Sequence, residues 1–119
     1  MDKILIVEDE LLVSLVYEKY LSNYGFEFLG PFTTGEEAIK VIKDLGVNFS
    51  AALLDIQLDD EVSGLAVAVA IRQQSNIPII FTTGNDLLKT EKEIASLKNV
   101  FVLSKPINMK KLLEILQTD

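Results

Sequence analysis

The feature that most constrains this chain is a rhythm of five short apolar runs, at 4–7, 26–29, 51–54, 77–81 and 100–103, each rich in Ile, Val, Leu or Phe. Apart from Glu27 in the second, they run continuously apolar rather than alternating. Strands of that kind are covered on both faces, as in a parallel sheet held between helices. Longer segments with helical spacing separate the runs. Leu12, Val16 and Tyr20 recur every four residues, Ile39 and Ile42 share a face, and Leu112, Ile115 and Leu116 mark the last segment. The order predicts five strands alternating with five helices in a three-layer α/β sandwich with right-handed crossovers.

Local punctuation sets the expected boundaries. Thr34 followed by Glu37 reads as a capping box, so a helix should begin just after Thr34. Ser63, Asp86 and Asn108 are candidate caps for the third, fourth and fifth helices. Gly25 and Gly46 stand where the first two helices must stop. At 119 residues, with no linker or repeat, a single domain spanning 1–119 is expected.

Parallel strands share one carboxyl edge, where ligands of open α/β sheets lie. The side chains that follow the runs therefore meet there: Glu8 and Asp9 after the first, Asp55 after the third, Thr83 at the end of the fourth and Lys105 after the fifth. Two carboxylates about 4 Å apart repel by on the order of 4 kcal/mol at an effective dielectric near 20. Protonating one carboxylate would relieve that repulsion; a hard divalent cation such as Mg²⁺ does so more economically and keeps waters that phosphate oxygens can replace. With Asp55 as a carboxylate nucleophile, Mg²⁺ and Lys105 as counter-charges and Thr83 as a hydroxyl donor, the set suits phosphoryl transfer.

Composition removes several competitors. There is no cysteine and no histidine, hence no disulfide framework, no thiolate zinc site, no thiol nucleophile and no imidazole base. The net charge of −7, with Lys110 and Lys111 the only adjacent basic pair, argues against direct nucleic-acid binding. The longest apolar run, 65–71, has seven residues, against roughly twenty for a membrane span. The opening MDKILIVEDE lacks the apolar stretch of a secretory signal, so the cytoplasm is the expected compartment.

Taken together, KILIVEDE, LLDIQL, IPIIFTTG and LSKP resemble the receiver domain of two-component response regulators over essentially the whole chain. The resemblance implies a flavodoxin-like fold with strand order 2-1-3-4-5. It implies Asp55 as phosphoacceptor, and Mg²⁺ held by Asp9 directly, Glu8 largely through water, Asp55 and the Gln57 main-chain carbonyl. Thr83 would be the switch hydroxyl, and Lys105 would pair with a phosphoryl oxygen, aimed by a cis bond to Pro106. The donor would be a histidine kinase or phosphotransfer protein, and the output an effector protein or domain. Such a domain is not a conventional enzyme, yet it catalyses its own aspartyl phosphorylation and dephosphorylation.

The chain departs from the family pattern at several positions. Val102 stands where an aromatic is common, with Phe101 one place earlier, so no aromatic coupled to Thr83 carries over. Asp59 replaces a common proline, and Leu97-Lys98-Asn99 replaces a Gly-Ala before the fifth strand, predicting an atypical helix-four exit. Gln57 and Asn85 occupy positions that tune dephosphorylation in the family. Leu87, Leu88 and Ile94 of helix four are expected to pack in the core in preference to forming a partner face. The alternatives are a docking module on the same fold that is never phosphorylated, a flavin-binding protein, or an aspartate-nucleophile phosphatase. The phosphatase would need an aspartate where Gln57 stands. The sequence stops at Asp119, after the fifth helix, which leaves open a chain acting alone or part of a larger regulator or hybrid kinase.

Overall fold

The structure is a computed structural model that describes residues 2–58, 63–84 and 91–117. Asp59, Asn85, Asp86, Leu87 and Leu88 lie outside the described residues, and the expectations placed on them with them. The elements follow in strict alternation: β1 (Lys3–Val7), α1 (Leu11–Ser22), β2 (Glu27–Phe32), α2 (Gly35–Leu45), β3 (Ala51–Asp55), α3 (Gly64–Arg72), β4 (Ile79–Thr83), α4 (Glu91–Ala95), β5 (Val100–Ser104) and α5 (Met109–Gln117). All neighbouring strands are parallel, in the order β2-β1-β3-β4-β5. This is the expected fold.

Strand alternation divides the core into two layers. Leu5, Val7, Ala52, Leu54, Ile79 and Phe81 point to one side, where Ala38 and Ile42 of α2, Val67, Ala68 and Ile71 of α3 and Ile94 of α4 cover them. Ile4, Ile6, Ala51, Leu53, Ile80 and Leu103 point to the other, against Tyr17 and Leu21 of α1 and Leu112 and Leu113 of α5. Each fully buried Leu, Ile or Val contributes about 1.5–3 kcal/mol of transfer free energy, so the central strands are the most firmly held part of the molecule.

The caps agree with expectation where they are described. Thr34 Oγ1 accepts the Glu37 amide at 3.2 Å, Ser63 Oγ that of Ala66 at 3.4 Å, and Asn108 Oδ1 that of Lys111 at 3.1 Å. Gly25 and Gly46 have the positive φ expected of them. The α4 exit is indeed unusual. Asn99 takes φ 57°, a left-handed conformation that Asn tolerates better than other side chains, and its amide donates to the Asn76 carbonyl at 2.8 Å. Arg72 clamps the same turn, donating to the carbonyls of Lys98, Ser75 and Asn99 at 2.9, 2.9 and 3.1 Å.

Two expectations need correction. The inward face of α1 is not Leu12 and Val16, which are 79% and 57% exposed, but Ser14, Tyr17 and Leu21, with Val13 and Tyr20 partly covered. Helix α1 is apolar around most of its first turns, so a period of four alone selects the wrong stripe. β2 also runs further than its apolar stretch, through Gly30 and Pro31. Leu5 pairs with Leu29 but Val7 with Phe32, which inserts one extra residue into β2. Gly30 sits in that bulge at φ 108°, where a Cβ would run into the Ile6 carbonyl.

Candidate functional site

The carboxyl edge of the sheet gathers the polar residues singled out from sequence. Glu8 follows β1 and is 1% exposed, while Asp55 ends β3 and is 4% exposed. The β2 bulge holds the first of these in place, because it brings the Phe32 carbonyl to the Glu8 amide at 2.9 Å. Glu8 Oε2 then accepts the Glu10 amide at 3.1 Å. Among the described residues Glu8 Oε1 is buried without a hydrogen-bond partner, its contact with the Lys105 ammonium at 3.3 Å being electrostatic.

Asp55 is fixed from three directions. Its Oδ1 accepts the Gln57 amide at 3.0 Å, and its Oδ2 accepts Lys105 Nζ at 2.9 Å. Gly64, the first residue of α3, packs on its main chain so closely that an added Cβ would overlap the Asp55 carbonyl. Lys105 is aimed by its own backbone: its amide donates to the Thr83 carbonyl at 2.7 Å, and its bond to Pro106 is cis, as expected. Thr83 is buried at the end of β4, and Gln57 is exposed beside Asp55.

Electrostatics follow from this crowding. Burial pushes the Glu8 carboxyl up to about 7; the Glu10 amide opposes that, and the Asp55 charge adds to it. Burial alone would lower the Lys105 ammonium, but Asp55 and Glu8 outweigh it and hold the group above the ordinary lysine range. Lys105 therefore stays charged throughout the physiological range. One cation facing two carboxylates leaves the corner short of positive charge.

Glu10 is a residue the sequence reading passed over. Glu8, Asp9 and Glu10 each present a carboxylate oxygen within 4.8 Å of the others, and they form the acidic cluster close enough to share a cation among the described residues. The third acid of the run EDE was the available signal. Asp55 is turned instead to Lys105, which links it to Glu8. All-oxygen donors of this kind suit a hard cation such as Mg²⁺, and the unsatisfied Glu8 oxygen is what such an ion would serve. Beside the site, between α1 and the start of α5, a groove of about 450 Å³ is lined by Val13, Tyr17, Gly84, Lys105, Pro106 and Met109.

Comparison with known proteins identifies the family. The family model "Response regulator receiver domain" matches residues 4–117. The chain is 38% identical over 85 residues to the regulatory protein VanR of Enterococcus faecium, covering 71% of this chain and 35% of VanR. It thus spans roughly a third of that relative's length. A response regulator receiver protein from Sinorhizobium medicae superposes with a TM-score of 0.86 at 25% identity, covering 97% of this chain and 90% of the other. The receiver domain of a sensor histidine kinase from Pseudomonas aeruginosa, solved with magnesium coordinated in its active-site cleft, superposes with a TM-score of 0.80 at 28% identity, covering 98% and 94%. No helix among the described residues is long and apolar enough to cross a membrane. The chain belongs to the response regulator receiver domains, the phosphorylation-dependent switches of two-component systems.

Proposed function

We propose that Asp55 is the phosphoacceptor of this receiver domain and that a histidine kinase or phosphotransfer protein is its donor. A carboxylate oxygen of Asp55 forms the new bond to phosphorus. The bond from phosphorus to the donor's imidazole nitrogen breaks, and its electron pair stays on that nitrogen. Lys105, already 2.9 Å from Asp55, moves its ion pair to a phosphoryl oxygen, and the Thr83 hydroxyl donates to another. Glu8, Asp9, Asp55 and the Gln57 carbonyl would hold Mg²⁺, with Glu10 at the rim of the same acidic group. When bound there, Mg²⁺ supplies the positive charge that offsets the carboxylates and the incoming phosphoryl oxygens. The phosphorylated conformation then controls an effector protein or domain in the cytoplasm.

The observation that carries this reading is the shared ammonium. Lys105 reaches both Asp55 and Glu8 at the end of three separate strands, next to a buried carboxylate oxygen with no hydrogen-bond partner among the described residues. Exposure to Mg²⁺ and acetyl phosphate is expected to add one phosphoryl mass to the chain. Omitting Mg²⁺ or replacing Asp55→Asn should abolish it. Retention of the label in Asp55→Asn would remove Asp55 from the role.

A further inference from the structure

Glu10 is an acid that the proposed chemistry leaves at the rim, although the fold directs it into the site. It stands in the capping position before α1, at φ −91° and ψ 101°, yet its side chain makes no capping hydrogen bond among the described residues. Ser, Thr, Asp and Asn are the side chains that cap well, and glutamate is not among them. The Glu10 backbone is held on both sides. Its amide donates to Glu8 Oε2 at 3.1 Å, and its carbonyl accepts the amides of Val13 and Ser14 at 3.0 and 3.2 Å. The exposed carboxylate is left over, and it places an oxygen within 4.8 Å of oxygens from both Glu8 and Asp9. Three like charges so close repel one another, and a cation offsets that cost. The ammonium of Lys105 is already engaged by Glu8 Oε1 and Asp55 Oδ2. An independent sign of a missing cation is Glu8 itself, which is 1% exposed and brings to the cluster a buried oxygen with no hydrogen-bond partner among the described residues.

We propose that Glu10 is a further carboxylate ligand of the cation site and sets its ion preference, admitting Ca²⁺ in competition with Mg²⁺. The proposal rests on the cation site of the proposed function and goes beyond it in naming what the site selects. Mg²⁺ demands near-octahedral geometry, keeps several waters and is served by roughly one or two carboxylates, whereas Ca²⁺ takes about six to eight oxygens in a flexible shell that accepts each carboxylate through one oxygen or two. The turn after β1 supplies three carboxylates from consecutive residues, and Asp55 adds a fourth, linked to Glu8 through Lys105. A donor set so rich in oxygen exceeds what Mg²⁺ uses and suits the larger ion. Rigidity is divided in the same sense. Glu8 is buried and held by the Glu10 amide, while the Glu10 carboxylate is exposed on a long side chain that can adjust to a wider shell.

The test reads binding alone, with no phosphoryl donor present. Ca²⁺ and Mg²⁺ are each added in steps to the parent chain, Glu10→Gln and Asp44→Asn at physiological salt, and the amide NMR shifts of Asp9 and Gln57 give the affinities. Asp44 is exposed near the end of α2, at the opposite edge of the sheet, and serves as the control for one lost charge. A charge acting only through screened solvent affects two divalent ions alike, by about fivefold for a close neighbour, so the ratio of the two affinities decides the matter. Glu10→Gln should weaken Mg²⁺ by about fivefold and Ca²⁺ by about fiftyfold, because a lost ligand adds roughly tenfold to the effect of charge. Asp44→Asn should change neither by more than about twofold. Equal weakening of both ions by Glu10→Gln, no weakening of either, or a parent chain that binds Mg²⁺ but not Ca²⁺ would overturn the proposal and leave the Mg²⁺ site standing. A parent chain that responds to neither ion would overturn both.

Discussion

Glu8 makes the metal-free protein sensitive to pH in an unusual direction. Its carboxyl lies at about 7 in the folded chain against 4.5 ordinarily, mainly through burial. Between those values the folded state holds a proton that the unfolded state has released, so stability falls as pH rises across the window. The effect is fully present below 4.5 and lost above about 7. At about 1.4 kcal/mol per unit, the swing is about 3 kcal/mol, or roughly 10 °C in Tm for a domain of this size. Solvent screens little of this effect, because Glu8 is 1% exposed. Glu8→Gln has no proton to lose. In chelator-treated buffer it should match the parent near pH 4.5 and exceed it by up to about 3 kcal/mol near pH 8. Adding Mg²⁺ near pH 8 should reverse the order, since the ion binds the folded parent more tightly than the variant. Urea denaturation at a series of pH values reads all of this. Parallel curves for parent and variant from pH 4.5 to 8 would refute the burial argument.

Three further outcomes follow from the geometry. Gly64→Ala forces a Cβ into the Asp55 carbonyl; it should cost about 2 kcal/mol or more in denaturant unfolding and slow acetyl phosphate labelling further than its stability loss explains. Arg72→Met removes three hydrogen bonds from a half-buried guanidinium to loop carbonyls and should cost about 1–3 kcal/mol after discounting for solvent, with exchange quickening first at the turn before β5. Asn99→Gly should stay within about 0.5 kcal/mol of the parent, whereas Asn99→Val should lose about 1–2 kcal/mol because a branched side chain is strained at φ 57°.

The parts of the molecule legible from sequence are those set by local pattern and by strand order. Continuous apolar runs ending in Glu8, Asp55, Thr83 and Lys105 identified the sheet edge because parallel strands all finish on one side. Thr34, Ser63 and Asn108 announced their helices because a cap is a contact three residues long. What stayed hidden depends on contacts between distant segments. Helix α1 carries Leu11, Leu12, Leu15 and Val16 on its exposed side, so apolar spacing did not reveal that Tyr17 turns inward. The bulge at Gly30 and Pro31 exists to meet β1, and a sequence read one strand at a time does not show a register shift. Glu10 escaped notice because it looks like an ordinary residue at the start of a helix, yet the turn after β1 folds its carboxylate back beside Glu8 and Asp9. The tie between Arg72 and Asn99 spans 27 positions and has no local signature.

Acetyl phosphate labelling followed by intact-mass and peptide mapping tests the central assignment most directly. The account predicts one phosphoryl group per chain, dependent on Mg²⁺ and located on Asp55. A chain that stays unmodified, or a label that maps to another residue and survives Asp55→Asn, would contradict it.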